Sequence, residues 1–125
     1  MARLPEALLA RVERFADRTL DVADALEREV GRPRLIEQIA AAGTSVGANL
    51  FEADEALSRA DFCKCPGICV KELNECRFWF RLIGRRSWIT AKRLQPLESE
   101  CDELRRVLGT MISRTRAVSR SKASR

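Results

Sequence analysis

The chain has 125 residues, of which 46% are hydrophobic and 33% are charged, and its formal net charge is +5. This length supports one domain with a buried core, and the composition suits amphipathic helices. The sequence contains no histidine, which excludes serine–histidine and cysteine–histidine catalysis, histidine-ligated metal sites and histidine-containing di-iron bundles. We therefore predict that the protein is not an enzyme and uses no metal or other cofactor.

Cellular location is constrained by where the charges fall. The longest run without a charged residue covers residues 38–51, which is too short to cross a bilayer. The segment MARLPEALLARVERF carries charges every few residues and lacks the apolar core of a signal peptide. Five cysteines, an odd number, are awkward for a framework of disulfides. We expect a cytoplasmic protein that makes no membrane contact.

Apolar residues that alternate at steps of three and four predict helices along most of the chain. The first apolar stripe contains Leu8, Val12, Phe15, Thr19, Val22, Leu26 and Val30. The second contains Ile36, Ile39, Gly43, Val46, Leu50, Ala53 and Leu57. The third contains Phe62, Cys65, Cys69, Leu73, Cys76, Phe80 and Ile83. The fourth contains Leu94, Leu97, Cys101, Leu104, Leu108 and Met111.

Residues that start and stop helices separate these stripes. Gly31, followed by Pro33, predicts the end of the first helix. Ser58 and Thr90 are the predicted N-caps of the third and fourth helices. Because the links between helices are short, successive helices must fold back on one another. We predict an all-α fold, an antiparallel up-down-up-down four-helix bundle, over residues 1–113.

Two prolines interrupt the predicted helices. Pro66, which is followed by Gly67, should kink the third helix or delay its start. Pro96 can mark the first turn of the fourth helix, with residues 90–95 as a separate short turn.

The second helix contains a run of small residues, GTSVGAN at residues 43–49, although glycine, serine and threonine are poor helix formers. Gly43 lies on the core stripe, so we predict a tight helix crossing; a recognition site is the alternative interpretation. Asn49 lies beside the stripe and needs hydrogen-bond partners if it is partly buried. We predict a polar network between the second and third helices, formed by Asn49, Glu52, Lys71, Glu72 and Glu75.

Basic residues flank the first and third links, which share one end of the predicted bundle. We call this end the basic pole, and its basic residues are Arg32, Arg34, Arg85, Arg86, Lys92 and Arg93. Trp88 lies among them and can either stack on a nucleobase or fold into the core as a plug. A basic end with an aromatic residue predicts nucleic-acid binding by these residues and Trp88.

The net positive charge is concentrated in a C-terminal tail. Residues 114–125, RTRAVSRSKASR, contain five basic residues and no acidic one, whereas the rest of the chain has 18 of each. The tail is rich in serine, and we predict that its end is disordered. It is either a solubilising tail or an arm for phosphate backbones, in which case Arg114 and Arg116 contact nucleic acid.

Cysteines cluster in the third helix, at Cys63, Cys65, Cys69 and Cys76. A zinc site is one interpretation, but zinc sites favour Cys-x-x-Cys pairs on turns. The last three lie on the apolar stripe, where cysteine behaves as a small hydrophobic residue. We predict core thiols rather than a metal site or a redox sensor.

The stretch GTSVGANLFEADEALSRADF, followed by ICVKELNECRFWFRLI and later by LESECDELRRVLGTMI, resembles the 23S ribosomal RNA intervening-sequence proteins, a family of four-helix bundles. The resemblance covers about residues 35–112. Its specific parts are Ala48, Asn49, Leu50 and Glu52, then Asp61 and Phe62, then Lys71, Glu72, Glu75 and Trp79. The chain departs from the family pattern at Cys65, Pro66 and Gly67, where basic and long apolar residues are expected.

The resemblance implies a cytosolic bacterial protein, often a homopentamer of bundles arranged as a ring, with no enzymatic activity and a poorly defined function. Some members of the family are encoded inside insertions in ribosomal RNA genes. A structurally related group, the accessory proteins of diversity-generating retroelements, is also pentameric and basic, and works with a reverse transcriptase and nucleic acid.

Apolar residues outside the main stripes also indicate self-association. They are Leu9, Leu20, Leu35, Ile68, Val70, Phe78, Leu82 and Val107. We therefore expect a non-catalytic homo-oligomer, a pentamer by the resemblance, that binds RNA or another nucleic acid through its basic pole and tail. The alternative is a protein-interaction scaffold or accessory subunit, for example for a reverse transcriptase, that does not bind nucleic acid directly.

Overall fold

The computed structural model describes residues 4–55 and 59–123, and within these ranges the chain forms four α-helices and no strand. Helix α1 spans Glu6–Glu29, α2 spans Pro33–Asp54, α3 spans Arg59–Arg85 and α4 spans Ala91–Ala123. Each helix packs against the next in the chain, and α1 also packs against α4. The prediction of an all-α fold is confirmed. In the described part of the chain, none of the helices has a stretch long and apolar enough to cross a membrane.

The helices enclose a core built from the predicted apolar stripes. Each helix contributes large, fully buried side chains, such as Phe15 from α1, Leu50 from α2, Phe80 from α3 and Leu104 from α4. The rings of Phe15 and Phe80 meet edge to face with their centroids 6.3 Å apart. Such an aromatic pair contributes about 0.5–1.5 kcal/mol beyond the area that it buries. The core therefore links α1 directly to α3 through the centre of the bundle.

Local sequence signals set the helix ends. Gly31, directly after α1, has a φ of +69°, a left-handed conformation that glycine adopts without strain. Helix α2 begins at Pro33, since proline suits the first position of a helix. The Arg93 N–H donates to Thr90 Oγ1 at 3.3 Å, so Thr90 caps α4 as predicted. Ser58, the predicted cap of α3, lies outside the described residues.

The link between α3 and α4 closes with a pair of hydrogen bonds typical of a Schellman motif. The Ser87 N–H donates to the Gly84 carbonyl at 3.0 Å, and the Trp88 N–H donates to the Ile83 carbonyl at 3.2 Å. Ser87 has a φ of 57°, which is left-handed although the residue is not glycine. This turn places Trp88 just beyond the end of α3, where its side chain packs against the core.

The prolines within α3 and α4 change the helix boundaries less than expected. Helix α3 begins at Arg59, so Pro66 does not delay its start. Helix α4 begins at Ala91, so the predicted separate turn before Pro96 is wrong. A proline near the start of a helix removes one backbone N–H bond, while the cap at Thr90 and the packing of the following residues hold the first turn in place.

Helix α4 continues beyond the last buried residues of the bundle. Residues 114–123 are helical, although their composition predicts a tail with a disordered end. No glycine or proline follows Gly109, so the sequence contains no stop signal. The side chains described after Ile112 are exposed. Because the tail has few apolar residues, it does not pack against the bundle, but the helix continues through it. The domain boundary at residue 113 stays a prediction.

Candidate nucleic-acid interface

Two links of the chain meet at Trp88. Arg32 lies in the link between α1 and α2, whereas Arg86 and Trp88 lie in the link between α3 and α4. The guanidinium carbons of Arg32 and Arg86 are each 5.5 Å from the centroid of the Trp88 ring. This distance is within the range of a cation–π interaction. The structure therefore brings the first and third links to one end of the molecule, as predicted for the basic pole.

Trp88 combines features of both interpretations of its role. The side chain is half-buried and packs against the core, so it anchors the link as a plug would. The ring also lies beneath two guanidinium groups, which holds Arg32 and Arg86 in place at the surface. Two like charges held against one ring raise the local positive potential and pre-position the donors that phosphate oxygens bind.

The other basic residues of the pole lie in terminal helical turns and are exposed: Arg34, Arg85, Lys92 and Arg93. The first turns of α2 and α4 contain no acidic residue. Helix N-termini carry a partial positive charge and are stabilised by acids, so the bases of these two turns oppose local stability. Both helix N-termini belong to the basic pole, and they add to its attraction for anions. The C-termini of α1 and α3 lie there too and offset part of this field.

The tail does not reach the basic pole. Arg114 is 23 residues beyond Ala91 along α4, which is about 35 Å at 1.5 Å per residue. Its side chain is exposed, and the side chain of Arg116 lies outside the described residues. The pole and the tail are therefore two separate basic surfaces, although the sequence predicts nucleic-acid binding by the residues of both.

The predicted polar network does not join α2 to α3 among the described residues. The Asn49 amide donates to the Ser45 carbonyl at 2.7 Å, within α2. Glu75 accepts from Trp79 Nε1 at 3.4 Å, within α3. Glu72 is half-buried, and Glu52 and Lys71 are exposed to solvent. An amide one turn from a backbone carbonyl finds a partner without crossing to another helix, and exposed charges remain hydrated.

Buried thiols connect these two helices instead. Cys65 Sγ donates to the Asn49 carbonyl at 3.1 Å, and Cys69 Sγ donates to the Val46 carbonyl at 3.6 Å. The two sulfur atoms are 3.6 Å apart, and both thiols are free. We call these two thiols and the carbonyls they contact the cysteine seam. The hydrogen bond with Cys65, together with burial, raises the pKa of Cys69, which keeps this thiol protonated.

The remaining described cysteines are also core residues. Cys76 and Cys101 are buried and free, and the Cys101 thiol donates to the Leu73 carbonyl at 3.3 Å. Burial raises the pKa of Cys76 and raises that of Cys101 to about 12. Since the thiolate is the nucleophile and the metal ligand, these groups are held in an unreactive form. Within the described residues, no cluster of three or more potential metal ligands is present.

The burial of these thiols confirms the prediction of core cysteines. Cys63 is the exception, because its side chain lies outside the described residues.

The tight crossing predicted at Gly43 is confirmed between α2 and α1. A Cβ atom at Gly43 would lie 2.4 Å from Thr19 Cγ2, closer than any real contact. Thr19 is fully buried, and its hydroxyl donates to the Phe15 carbonyl at 2.8 Å. At Gly47, a Cβ atom would lie 3.6 Å from the Val12 carbonyl oxygen. We call this contact region, Gly43 with Thr19 and Gly47 with Val12, the glycine seam.

A groove on α3 extends from the basic pole along the outer face of the helix. It has a volume of about 620 Å³ and is lined by Asn74, Arg77, Phe78, Arg81, Leu82 and Arg85. Of these residues, only Arg85 is among the site residues predicted from the sequence, and Phe78 and Leu82 are predicted only as off-stripe apolar residues. The signal that could have found it is the spacing of Asn74, Phe78, Arg81 and Arg85, which repeats every three or four residues on the face opposite the core stripe.

The sequence matches the model of the 23S rRNA-intervening sequence protein family over residues 8–110. The chain belongs to this family. The match includes the basic pole, the glycine seam and the cysteine seam, and it ends before Arg114. The resemblance described from the sequence is thus confirmed.

A solved structure gives an independent comparison for this member of the 23S rRNA-intervening sequence family. It is a protein of unknown function from the S23 ribosomal protein family of Bacteroides thetaiotaomicron. The two chains are 32% identical with a TM-score of 0.79, and the comparison covers 84% of this chain and 97% of the other. No curated protein matches the chain. Fold and family are therefore shared, while a function must be argued from the site.

Proposed function

We propose that this protein is a non-catalytic homo-oligomer, a pentamer, of up-down-up-down four-helix bundles in the cytoplasm, and that it binds RNA through its basic pole. The observation that supports RNA binding best is the convergence of Arg32 and Arg86 on Trp88, each 5.5 Å from the ring centroid. Arginine and tryptophan held together suit a ligand that presents both phosphates and base faces.

The antiparallel topology rests on pairs of contacts between helices. Residue numbers in contacting helices run in opposite directions. The pairs are Cys65 with Asn49, Cys69 with Val46, Arg105 with Asn74, and Arg77 with Asp102. The Leu4 N–H, just before α1, donates to Asp54 at the end of α2 at 3.0 Å. An antiparallel order for each neighbouring pair gives the proposed up-down-up-down arrangement.

The non-catalytic role rests on residue chemistry. The sequence has no histidine to act as a base near neutral pH. Burial raises the pKa of the Cys76 and Cys101 thiols, which removes them as nucleophiles. Free buried cysteines also fit a reducing compartment such as the cytoplasm.

The test of RNA binding is fluorescence anisotropy of a labelled, structured RNA titrated with the full chain at several salt concentrations between about 50 and 200 mM. The pole variant replaces Arg32 and Arg86 by glutamine. It should weaken binding and reduce the slope of log K against log salt concentration by about 2, since each lost phosphate contact contributes about 1.

The matched control removes two exposed arginines that lie far from the pole, Arg14 and Arg106. It has the same net charge as the pole variant, so a nonspecific loss of charge would affect both variants equally. Equal binding by the two variants would reject the pole as the RNA site. Absence of saturable binding by the unmodified protein at the lowest salt would reject RNA binding altogether.

A scaffold or accessory role without RNA contact is the second candidate function, with a protein partner such as a reverse transcriptase. It is favoured by exposed apolar side chains on α2 and α3, since Phe51 is 44% exposed and Ile68 is 45% exposed. Exposed apolar residues of this size are typical of docking surfaces. Retention of a purified partner by the pole variant, but not by a Phe51→Ser, Ile68→Ser variant, would favour this candidate.

A further inference from the structure

We infer that the arginine-lined groove on α3 is a docking site for α1 of a second copy of this chain. The inference rests on the proposed self-association and deepens it, because it assigns the two faces that meet. The outer face of α1 is the part of the second copy that would occupy the groove, because its acidic residues complement the arginines of the groove.

The receiving face is the α3 stripe, which consists of the groove residues Asn74, Arg77, Phe78, Arg81, Leu82 and Arg85. Phe78 is 57% exposed, the largest value among the exposed large hydrophobic residues of the described chain. Arg77 pairs weakly with Asp102 at 3.8 Å, whereas no ion pair involves Arg81 or Arg85 among the described residues. Arginine and aromatic residues together are the residue types enriched in protein interfaces.

The complementary face lies on α1. Its exposed residues repeat at steps of four and three, on the side away from the core: Glu13, Asp17, Leu20, Asp24 and Glu27. We call this set the α1 stripe. Its centre is Leu20, which is 39% exposed. Within the described part of the chain, none of the four acids forms an ion pair, so their charges are available to a partner.

The two faces match in both length and pattern. The α1 stripe runs from Glu13 to Glu27 and is about 21 Å long at 1.5 Å per residue. The α3 stripe runs from residue 74 to residue 85 and is about 17 Å long. The exposed Lys71, one turn before the stripe, extends the basic face of α3 to about 21 Å. Each has an exposed apolar residue near its middle with charges on either side, negative on α1 and positive on α3.

The position of the stripes prevents one chain from pairing them internally. Across the described residues, α1 packs on α2 and α4, and α3 also packs on α2 and α4, but α1 and α3 share only the interior of the bundle. Their outer faces therefore point to opposite sides. A contact between different faces of identical subunits is heterologous, and it produces a closed ring when the rotation per subunit permits closure. This geometry is compatible with the proposed pentamer.

Charge reversal tests the assignment with the full chain in the absence of RNA. Variant A carries Arg81→Glu and Arg85→Glu, and variant B carries Asp17→Lys and Asp24→Lys. Sedimentation velocity over a range of protein concentrations measures self-association. Each variant replaces attraction by repulsion along the contact, so each should weaken association on the order of 100-fold. The combined variant restores opposite charges and should recover most of the association.

The controls separate loss of docking from loss of folding. Reversal of Arg14 and Arg106, which are exposed and outside both stripes, should leave association unchanged. Phe78→Ser removes the exposed ring without changing charge and should also weaken association. Circular dichroism confirms that each variant retains its helices, as expected for substitutions at exposed positions.

Mixing the two single-face variants gives a second readout. Variant A has two new glutamates on α3 opposite an acidic α1 stripe, and variant B has two new lysines on α1 opposite an arginine-lined α3 stripe, so each variant associates only weakly with itself. In an equimolar mixture, the acidic α1 stripe of A meets the basic α3 stripe of B, and the reversed pair is complementary as well. Heavy species that form only in the mixture would support the inference directly.

The outcomes separate this inference from the proposed function. An unmodified protein that is monomeric at micromolar concentration would overturn both the proposed self-association and the docking site. An unmodified oligomer whose association is unchanged in variants A and B would overturn the docking site alone. Loss of association without recovery in the combined variant would also reject the pairing.

Discussion

Helix α2 packs against its two neighbours by different means. In the glycine seam, contact with α1 depends on a missing side chain, since a Cβ at Gly43 would lie 2.4 Å from Thr19 Cγ2. In the cysteine seam, contact with α3 depends on small side chains that are present, because Cys65 and Cys69 each donate to a carbonyl of α2. Both arrangements bring two helix backbones close together, but they should respond to different perturbations.

The difference lies in what each seam can tolerate. Thr19 is β-branched, fully buried and bonded to the Phe15 carbonyl, so it cannot rotate away from an added methyl group. The glycine seam is therefore sensitive to volume. Sulfur is soft and its hydrogen bonds are weak, so the cysteine seam should adapt to small changes of shape. A thiolate in the same place would face backbone carbonyls, so this seam is sensitive to charge.

The largest expected effect is therefore alkaline loss of stability through the thiols. The pKa of Cys69 is raised by its bond with Cys65 and by burial, and burial raises that of Cys101 to about 12. Above a pH of about 8.5 the unfolded chain releases these protons while the folded chain retains them. The free energy of unfolding should then fall by up to about 1.4 kcal/mol per pH unit for each thiol. Below that pH both states keep Cys69 and Cys101 protonated, so these two thiols contribute no pH dependence there.

Urea denaturation at one protein concentration, at pH 8, 9 and 10, measures this slope. The matched control is Cys101→Ala, which should make the slope shallower by about one thiol's share, 1.4 kcal/mol per pH unit. An unchanged slope in this variant would show that Cys101 does not contribute to the alkaline loss of stability.

The next largest effect is expected in the glycine seam. Gly43→Ala should destabilise the protein by about 1–3 kcal/mol, because overpacking in a closed contact outweighs the better helix propensity of alanine. Urea denaturation at neutral pH gives the value. Adding Thr19→Gly to this variant should relieve the clash and give favourable coupling in a double-mutant cycle. Adding Thr19→Ala should relieve less, because the Thr19 Cβ is itself only 2.5 Å from the new atom. Additive effects in both cycles would contradict the assigned contact.

The sequence predicts what depends on local spacing. The apolar stripes predict the core residues because steps of three and four place them on one face of a helix. Gly43 is predicted to mark a tight crossing, since glycine on a core stripe otherwise weakens a helix. The same spacing places Cys65, Cys69 and Cys76 in the core. These features are decided within a few turns of one helix, where the sequence carries the information directly.

The sequence does not predict what depends on how distant segments meet. That Thr19 faces Gly43, or that Arg32 lies over Trp88, depends on the register of separate helices. Asn49 lies beside the core stripe, which predicts partners on α3, but the Ser45 carbonyl one turn back in α2 is within reach of its amide. The α3 groove is a property of surface shape. Its charges are visible in the sequence, but which faces remain uncovered is decided by the packing of the other helices.

A smaller effect is expected when a thiol of the cysteine seam is removed. Cys69→Ala should cost about 1–1.5 kcal/mol, since it deletes one buried atom and leaves a small cavity that soft neighbours can partly fill. The free energy of unfolding at pH 7 measures this loss. The cost should be below that of Gly43→Ala, although both variants place alanine on a fully buried stripe. If Cys69→Ala lowers the free energy of unfolding more than Gly43→Ala does, the hydrogen bond from Cys69 to the Val46 carbonyl matters more for stability than the close contact of Gly43 with Thr19.

The smallest effect should be found at Gly47, which lies one turn after Gly43 in the same seam. A Cβ at Gly47 would lie 3.6 Å from the Val12 carbonyl oxygen, an ordinary contact distance. Gly47→Ala should therefore stabilise the protein by about 0.5–1 kcal/mol, because alanine loses less backbone entropy in a helix than glycine. The same urea denaturation measures both glycines. Opposite signs at the two positions would show that the volume sensitivity of the glycine seam resides at Thr19, whereas destabilisation at both would extend it along the whole crossing.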